Sequence, residues 1–160
     1  MSNVKCATAW ALKHAGLPQP EPAFGQIWYT GQRETKIVIC GPVDFQGDYP
    51  NVPDHHVAIY SGEKEDWAFA PTVSDIIPLI GNNALIKFRK DETGQIWECN
   101  IDEGDGMERL LGYHETNPAE AAAMAWLRLN ENDQYASDWL DSVTNETPSK
   151  TFVKPGAPGE

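Results

Sequence analysis

Asp54-His55-His56 is the densest group of potentially reactive side chains in this 160-residue chain. Imidazole and carboxylate bind metals and carry protons. Adjacent residues of an extended chain point to opposite sides, so His55 and His56 do not readily share one ion. Asp54 and His56 share a side, but the sequence supplies no third ligand, and solvated loop residues explain the group as well. The group closes a stretch, residues 41–55, that holds Pro42, Pro50, Pro53, Gly41, Gly47 and the aromatics Phe45 and Tyr49. It reads as one long loop, and loops of that length inside a compact domain are often functional. Phe45, Tyr49, His55 and His56 are therefore a candidate ligand-binding set, with the rings stacking on a small nucleotide-like molecule.

The second group is acidic. Asp102-Glu103-Gly104-Asp105-Gly106 invites a calcium loop, but the register fails. With Gly106 in sixth place, the first ligand position falls on Ile101 and the twelfth on Gly112. A solvated hairpin turn accounts for it better. Asp102, Glu103, Asp105 and Glu108 form a candidate partner-binding face instead.

Motifs of covalent or phosphate chemistry are missing. There is no Gly-x-Ser-x-Gly, no Gly-x-Gly-x-x-Gly and no P-loop pattern. Cys6, Cys40 and Cys99 are far apart and include no Cys-x-x-Cys pair. They read as buried thiols of a reducing compartment. His14 and His114 are isolated in sequence. The expectation is a binding protein, with no catalytic residue, metal or cofactor assigned.

Charge supports that expectation. Residues 1–90 carry nine acids and eight bases (-1), whereas residues 91–160 carry fifteen acids and four bases (-11). Such a surface repels phosphate and disfavours direct nucleic-acid binding. It suits a basic protein surface, including one that normally holds nucleic acid. A plain solubilising role is the rival account. Hydrophobic residues make up 41%, with six Trp, enough for a real core. No run approaches the ~18 apolar residues of a membrane span. Met1 to Lys5 lacks the features of a signal peptide, so the expected location is cytoplasmic.

The most definite element is the helix Asn117 to Asn130. Asn117 is its cap, Pro118 its first residue, and Glu120 stands where a capping box places an acid. Ala119, Ala122, Ala123, Trp126 and Asn130 make a small-residue stripe that seats it on a sheet. Before it, a helix opens at Thr72 with Asp75 three residues on, shortened by Pro78 and stopped by Gly81. Strands follow at 85–90, 95–101 and 107–115. Ile86 and Phe88 share one face, with Lys87 and Arg89 on the other; Trp97, Cys99 and Ile101 face inward, with Glu98 and Asn100 outward. Nearer the N-terminus come a helix at 4–15, a Pro18-Pro20-Pro22 connector, a hairpin at 26–40, and strands at 56–60 and 66–70. A short helix spans 133–143.

The predicted class is α+β: an antiparallel meander with helices packed on it, helix-strand-strand-strand-helix over 72–130, plus extra N-terminal strands. Residues 1–146 make one domain, with possible sub-units 1–70 and 71–146, and 147–160 a flexible tail. The same order of elements is shared with double-stranded-RNA-binding domains. Those domains open their last helix with lysines, whereas Glu115-Thr116-Asn117-Pro118-Ala119-Glu120 would repel phosphate.

Ala70-Pro71-Thr72-Val73-Ser74-Asp75-Ile76-Ile77-Pro78-Leu79-Ile80 resembles the Ala-Pro-Thr-x-x-(Glu/Asp)-Leu helix of small uncharacterised phage and prophage proteins. The run Glu115 to Ala122, followed by Trp126-Leu127-Arg128-Leu129-Asn130, is similar to their Glu-Thr-Pro-Glu-Glu-Ala…Leu-Trp-Leu-Ala-Leu-Asn ending. Asn117 is inserted before the proline, and the Trp is shifted. The resemblance covers residues 67–130. It implies a phage-encoded αβ sandwich and carries no catalytic residues. With the acidic face, it implies an accessory protein of the host cytoplasm that inhibits a host-defence protein, such as a nuclease. The alternatives are a binder of a small nucleotide-like ligand and a structural homo-oligomer.

Overall fold

The computed structural model describes residues 2–21, 23, 25–30, 35–38, 44–46, 49–51, 66–104 and 106–146. Helix α1 spans Cys6–His14, followed by strands β1 (Ile27–Thr30), β2 (Thr35–Val38), β3 (Asp44–Gln46), β4 (Tyr49–Asn51) and β5 (Trp67–Ala70). Then come α2 (Val73–Ile80), β6 (Ala84–Asp91), β7 (Gly94–Asp102), β8 (Glu108–His114), α3 (Pro118–Leu129) and α4 (Gln134–Glu146). The class is α+β. Every strand pair is antiparallel, in the orders β2-β1-β5, β3-β4 and β6-β7-β8. Among the described residues, the extra N-terminal strands build two sheets of their own, β2-β1-β5 and β3-β4, and do not extend the meander.

The strands of the meander pair as the alternation predicts, but Phe88, opposite the half-buried Trp97, is 46% exposed. Ile86 pairs with Cys99, Phe88 with Trp97, and Lys87 with Glu98, so like faces meet. Helix α3 packs on β7 and β8, and α2 packs on α3 and β6. The seat of α3 is Gly112. A Cβ there would sit 1.9 Å from the Ala121 carbonyl oxygen and 2.8 Å from the Ala125 nitrogen. The helix backbone at Ala121 and Ala125 thus meets the sheet at Gly112. Every residue from Ala119 to Leu127 is buried, so burial is not confined to the stripe that spacing suggests. Helix α3 is a central helix, touched by α1, α2, α4 and the meander.

The outward face of the meander is also partly covered. Asn100, expected in solvent, is 6% exposed, and Ile96 and Tyr113 are buried with it. Arg128 reaches round from α3, donating to the Leu111 carbonyl at 2.7 Å and placing its guanidinium 5.6 Å from the Tyr113 ring centre. Cys6 and Cys99 are reduced and buried.

In the N-terminal sheet, Trp28, Trp67 and Phe69 cluster, with Trp28 ring centres 6.1 Å and 5.3 Å from the other two. Helix α1 packs on β5 and is itself covered by α3 and α4. The stretch 41–55 corrects the long-loop reading, since it contains the β3-β4 hairpin. Two-residue Gly-Asp connectors are hairpin signals, and Gly47-Asp48 is one. Strands of three residues are too short for alternation to reveal. The expected strand at 56–60 and tail at 147–160 lie outside the described residues.

Candidate functional site

The acidic turn is built by its own backbone. Asp102 ends β7, and its carboxylate accepts the Gly104 N–H at 2.8 Å. The Glu103 N–H donates to the Met107 carbonyl (2.8 Å) and the Met107 N–H to the Gly104 carbonyl (2.9 Å). Gly104 and Gly106 have φ of 94° and 74°, a region that favours glycine. Two of the four proposed contact acids are spent inside the molecule. Glu103 pairs with Arg109 at 2.6 Å, and Glu108 with Lys87 at 2.7 Å. The Lys87 hydrogen bond, helped by one from Asn100, holds the Glu108 carboxyl below its ordinary pKa. Asp105 lies outside the described residues. The turn therefore presents less negative charge than its sequence suggests.

Helix α4 and its approach keep theirs. Residues 131–146 hold Glu131, Asp133, Asp138, Asp141 and Glu146, with no Lys or Arg. Ala136, Trp139 and Leu140 are buried, which turns Asp138 and Asp141 outward. Asp133 caps the helix by accepting the Tyr135 N–H at 2.8 Å. Among the described residues, no Lys or Arg pairs with Glu131, Asp133, Asp138 or Asp141. Asp133 meets the positive end of the helix dipole, and Asp138 and Asp141 stand in the middle turns. Acids are closest in sequence at 102–108, whereas the acidic stretch without a base is 131–146.

The candidate ligand set is less concentrated. In the β3-β4 ladder Phe45 pairs with Pro50, and Gln46 with Tyr49. Paired positions share a face and successive positions alternate, so the Phe45 and Tyr49 positions fall on opposite faces. His55 and His56 lie outside the described residues. Among the described residues, no three His, Cys, Asp or Glu side chains gather in a way that could hold a metal ion.

A buried polar knot was not legible in the sequence. Glu120 does not close a box on its own helix. Asn117 alone caps α3, accepting the Ala119 N–H (2.9 Å) and the Glu120 N–H (3.4 Å). The Glu120 carboxylate, 5% exposed, instead accepts the Lys5 N–H at 3.0 Å and the Thr8 hydroxyl at 2.7 Å. It thus performs for α1 the capping role that the sequence assigned to it in α3. Burial raises its pKa, against the two hydrogen bonds and the Lys5 charge. Next to it, the Asn117 amide donates to the Asn3 carbonyl (3.0 Å), and Asn3 donates to the Ala70 carbonyl (2.8 Å). Thr8 and Glu120 are 112 residues apart, so no local pattern announces them.

Compared with known protein families, known proteins and solved structures, the chain matches none. No helix among the described residues is long and apolar enough to cross a membrane.

Proposed function

We propose that this protein acts by binding a basic surface of another protein, and that α4 and its approach supply the contact. The observation that carries the reading is the run of acids over 131–146 with no base among them. The partner would be a host-defence protein, such as a nuclease, and the protein a phage accessory factor of the host cytoplasm. That part of the proposal rests on the sequence resemblance over 67–130 and on the fit of an acidic face to a nucleic-acid-binding groove. The acids of the turn, Asp102, Glu103, Asp105 and Glu108, are the other candidate contact.

The test is capture of partners from infected cells by the wild type and by a Glu131→Gln/Asp138→Asn/Asp141→Asn variant, identified by mass spectrometry. The reading expects a basic protein to be held by the wild type and lost by the variant. A purely solubilising surface predicts identical captures and a less soluble variant.

A further inference from the structure

His114 ends β8, beside the entry to α3. Its Nδ1 accepts two backbone donors, the Thr116 N–H at 3.1 Å and the Asn117 N–H at 2.9 Å. A nitrogen that accepts both carries no proton, so the imidazole is neutral, with its hydrogen on Nε2. Asn117 links this end of β8 to the N-terminal segment. Its side chain caps α3 and holds the Asn3 carbonyl. Asn3 in turn binds Ala70, the Val4 N–H binds the Pro71 carbonyl at 3.1 Å, and the Lys5 N–H binds Glu120. The segment 3–5 is thus a strap joining the end of β5 to the start of α3.

We propose that His114 is a proton-operated latch for this strap: a proton on Nδ1 turns an acceptor of two N–H groups into a third donor and releases Asn117 and, through it, Asn3. The charged groups around it bear on the direction. Lys5, from the strap, opposes an imidazolium electrostatically. Glu120, from α3, is committed to the Lys5 N–H and Thr8. On β7 the residue opposite is Trp97, and the neighbouring Glu98 pairs with Arg89 at 3.2 Å. Glu115 follows in the chain and is exposed. Burial first, and then Lys5, lowers the His114 pKa below 6.5. A lowered value means that the latched state binds the proton more weakly than the released one. The latch is therefore full above pH 6.5 and is lost as pH falls toward the latched value. This inference stands apart from the acidic-face reading and does not depend on it.

The test is amide hydrogen exchange by NMR on the full chain, as protection relative to intrinsic rates, between neutral and mildly acidic pH. The latch predicts that protection of Thr116 and Asn117 falls by up to about tenfold per pH unit below pH 6.5 and then levels off. The Asn117 side-chain amide signals should shift with the midpoint of the His114 ring, while β1 and β7 amides hold. His114→Gln, which keeps an acceptor and does not titrate, should abolish the dependence. Unchanged Thr116 and Asn117 protection across the ring titration, or an equal acid response in His114→Gln, overturns the proposal. If His114→Gln does not fold, the wild-type titration decides by itself. A common midpoint for ring and amides supports the latch, and separate midpoints refute it.

Discussion

Glu120 is the residue on which the assembly of the helices turns. A carboxylate this deep is costly unless donors surround it, and here a backbone N–H and a hydroxyl from α1 do so. Glu120→Ala should destabilise the protein by about 1–3 kcal/mol, since it leaves the Lys5 N–H and Thr8 hydroxyl buried without an acceptor. Chemical denaturation measures this. The pH dependence has a definite sign. The folded-state pKa is raised, so the stabilising contribution is full below the unfolded value of 4.5 and is lost as pH rises through the folded value. The stability advantage of wild type over Glu120→Gln should therefore shrink with rising pH, read as paired denaturation curves. Gly112 is the other decisive position. Gly112→Ala forces a Cβ into the α3 backbone and should cost about 3 kcal/mol, the upper range for overpacking. A melting temperature unchanged by it would show that α3 does not sit as described.

At the scale of elements, what the sequence makes legible is what local periodicity encodes. The Thr72–Asp75 box forms, with the Asp75 carboxylate accepting the Thr72 N–H at 2.9 Å and its hydroxyl at 3.0 Å. The β6-β7-β8 register follows the alternation of Ile86, Phe88, Trp97 and Cys99. Three-dimensional coverage is not encoded locally. Asn100 and Ile96 look like members of an outward face, yet both are buried. Nor does an alanine-rich helix announce which side meets the sheet when all its sides are buried. Cys99 reports on this packing. It is fully buried, and burial pushes its pKa up to about 12. A thiol reagent should therefore label Cys99 only as fast as the meander opens, and labelling at the rate of an exposed thiol would contradict the β6-β7-β8 packing. For α4, Asp138→Asn and Asp141→Asn should each change stability by no more than about 0.5 kcal/mol, because both side chains are exposed and stand in the middle turns of the helix, where its dipole acts little. Thermal melts measure the change.

Across the whole molecule, the charge asymmetry is visible in the sequence, but which acids a base neutralises is not. The acids closest in sequence, at 102–108, are partly neutralised by Lys87 and Arg109. Those bases come from β6 and from the start of β8, and only the fold brings Lys87 to Glu108. The acids of 131–146 are spread more thinly, and Asp138 and Asp141 point outward because Trp139 and Leu140 turn the opposite side of α4 inward. The most direct measurement is the affinity of the captured partner for the wild type and for Glu131→Gln/Asp138→Asn/Asp141→Asn, taken over a series of salt concentrations. An acidic docking face predicts wild-type binding that weakens steeply with salt, and a variant that binds weakly with a shallow salt dependence. Equal affinity and equal salt dependence for the two proteins would contradict it.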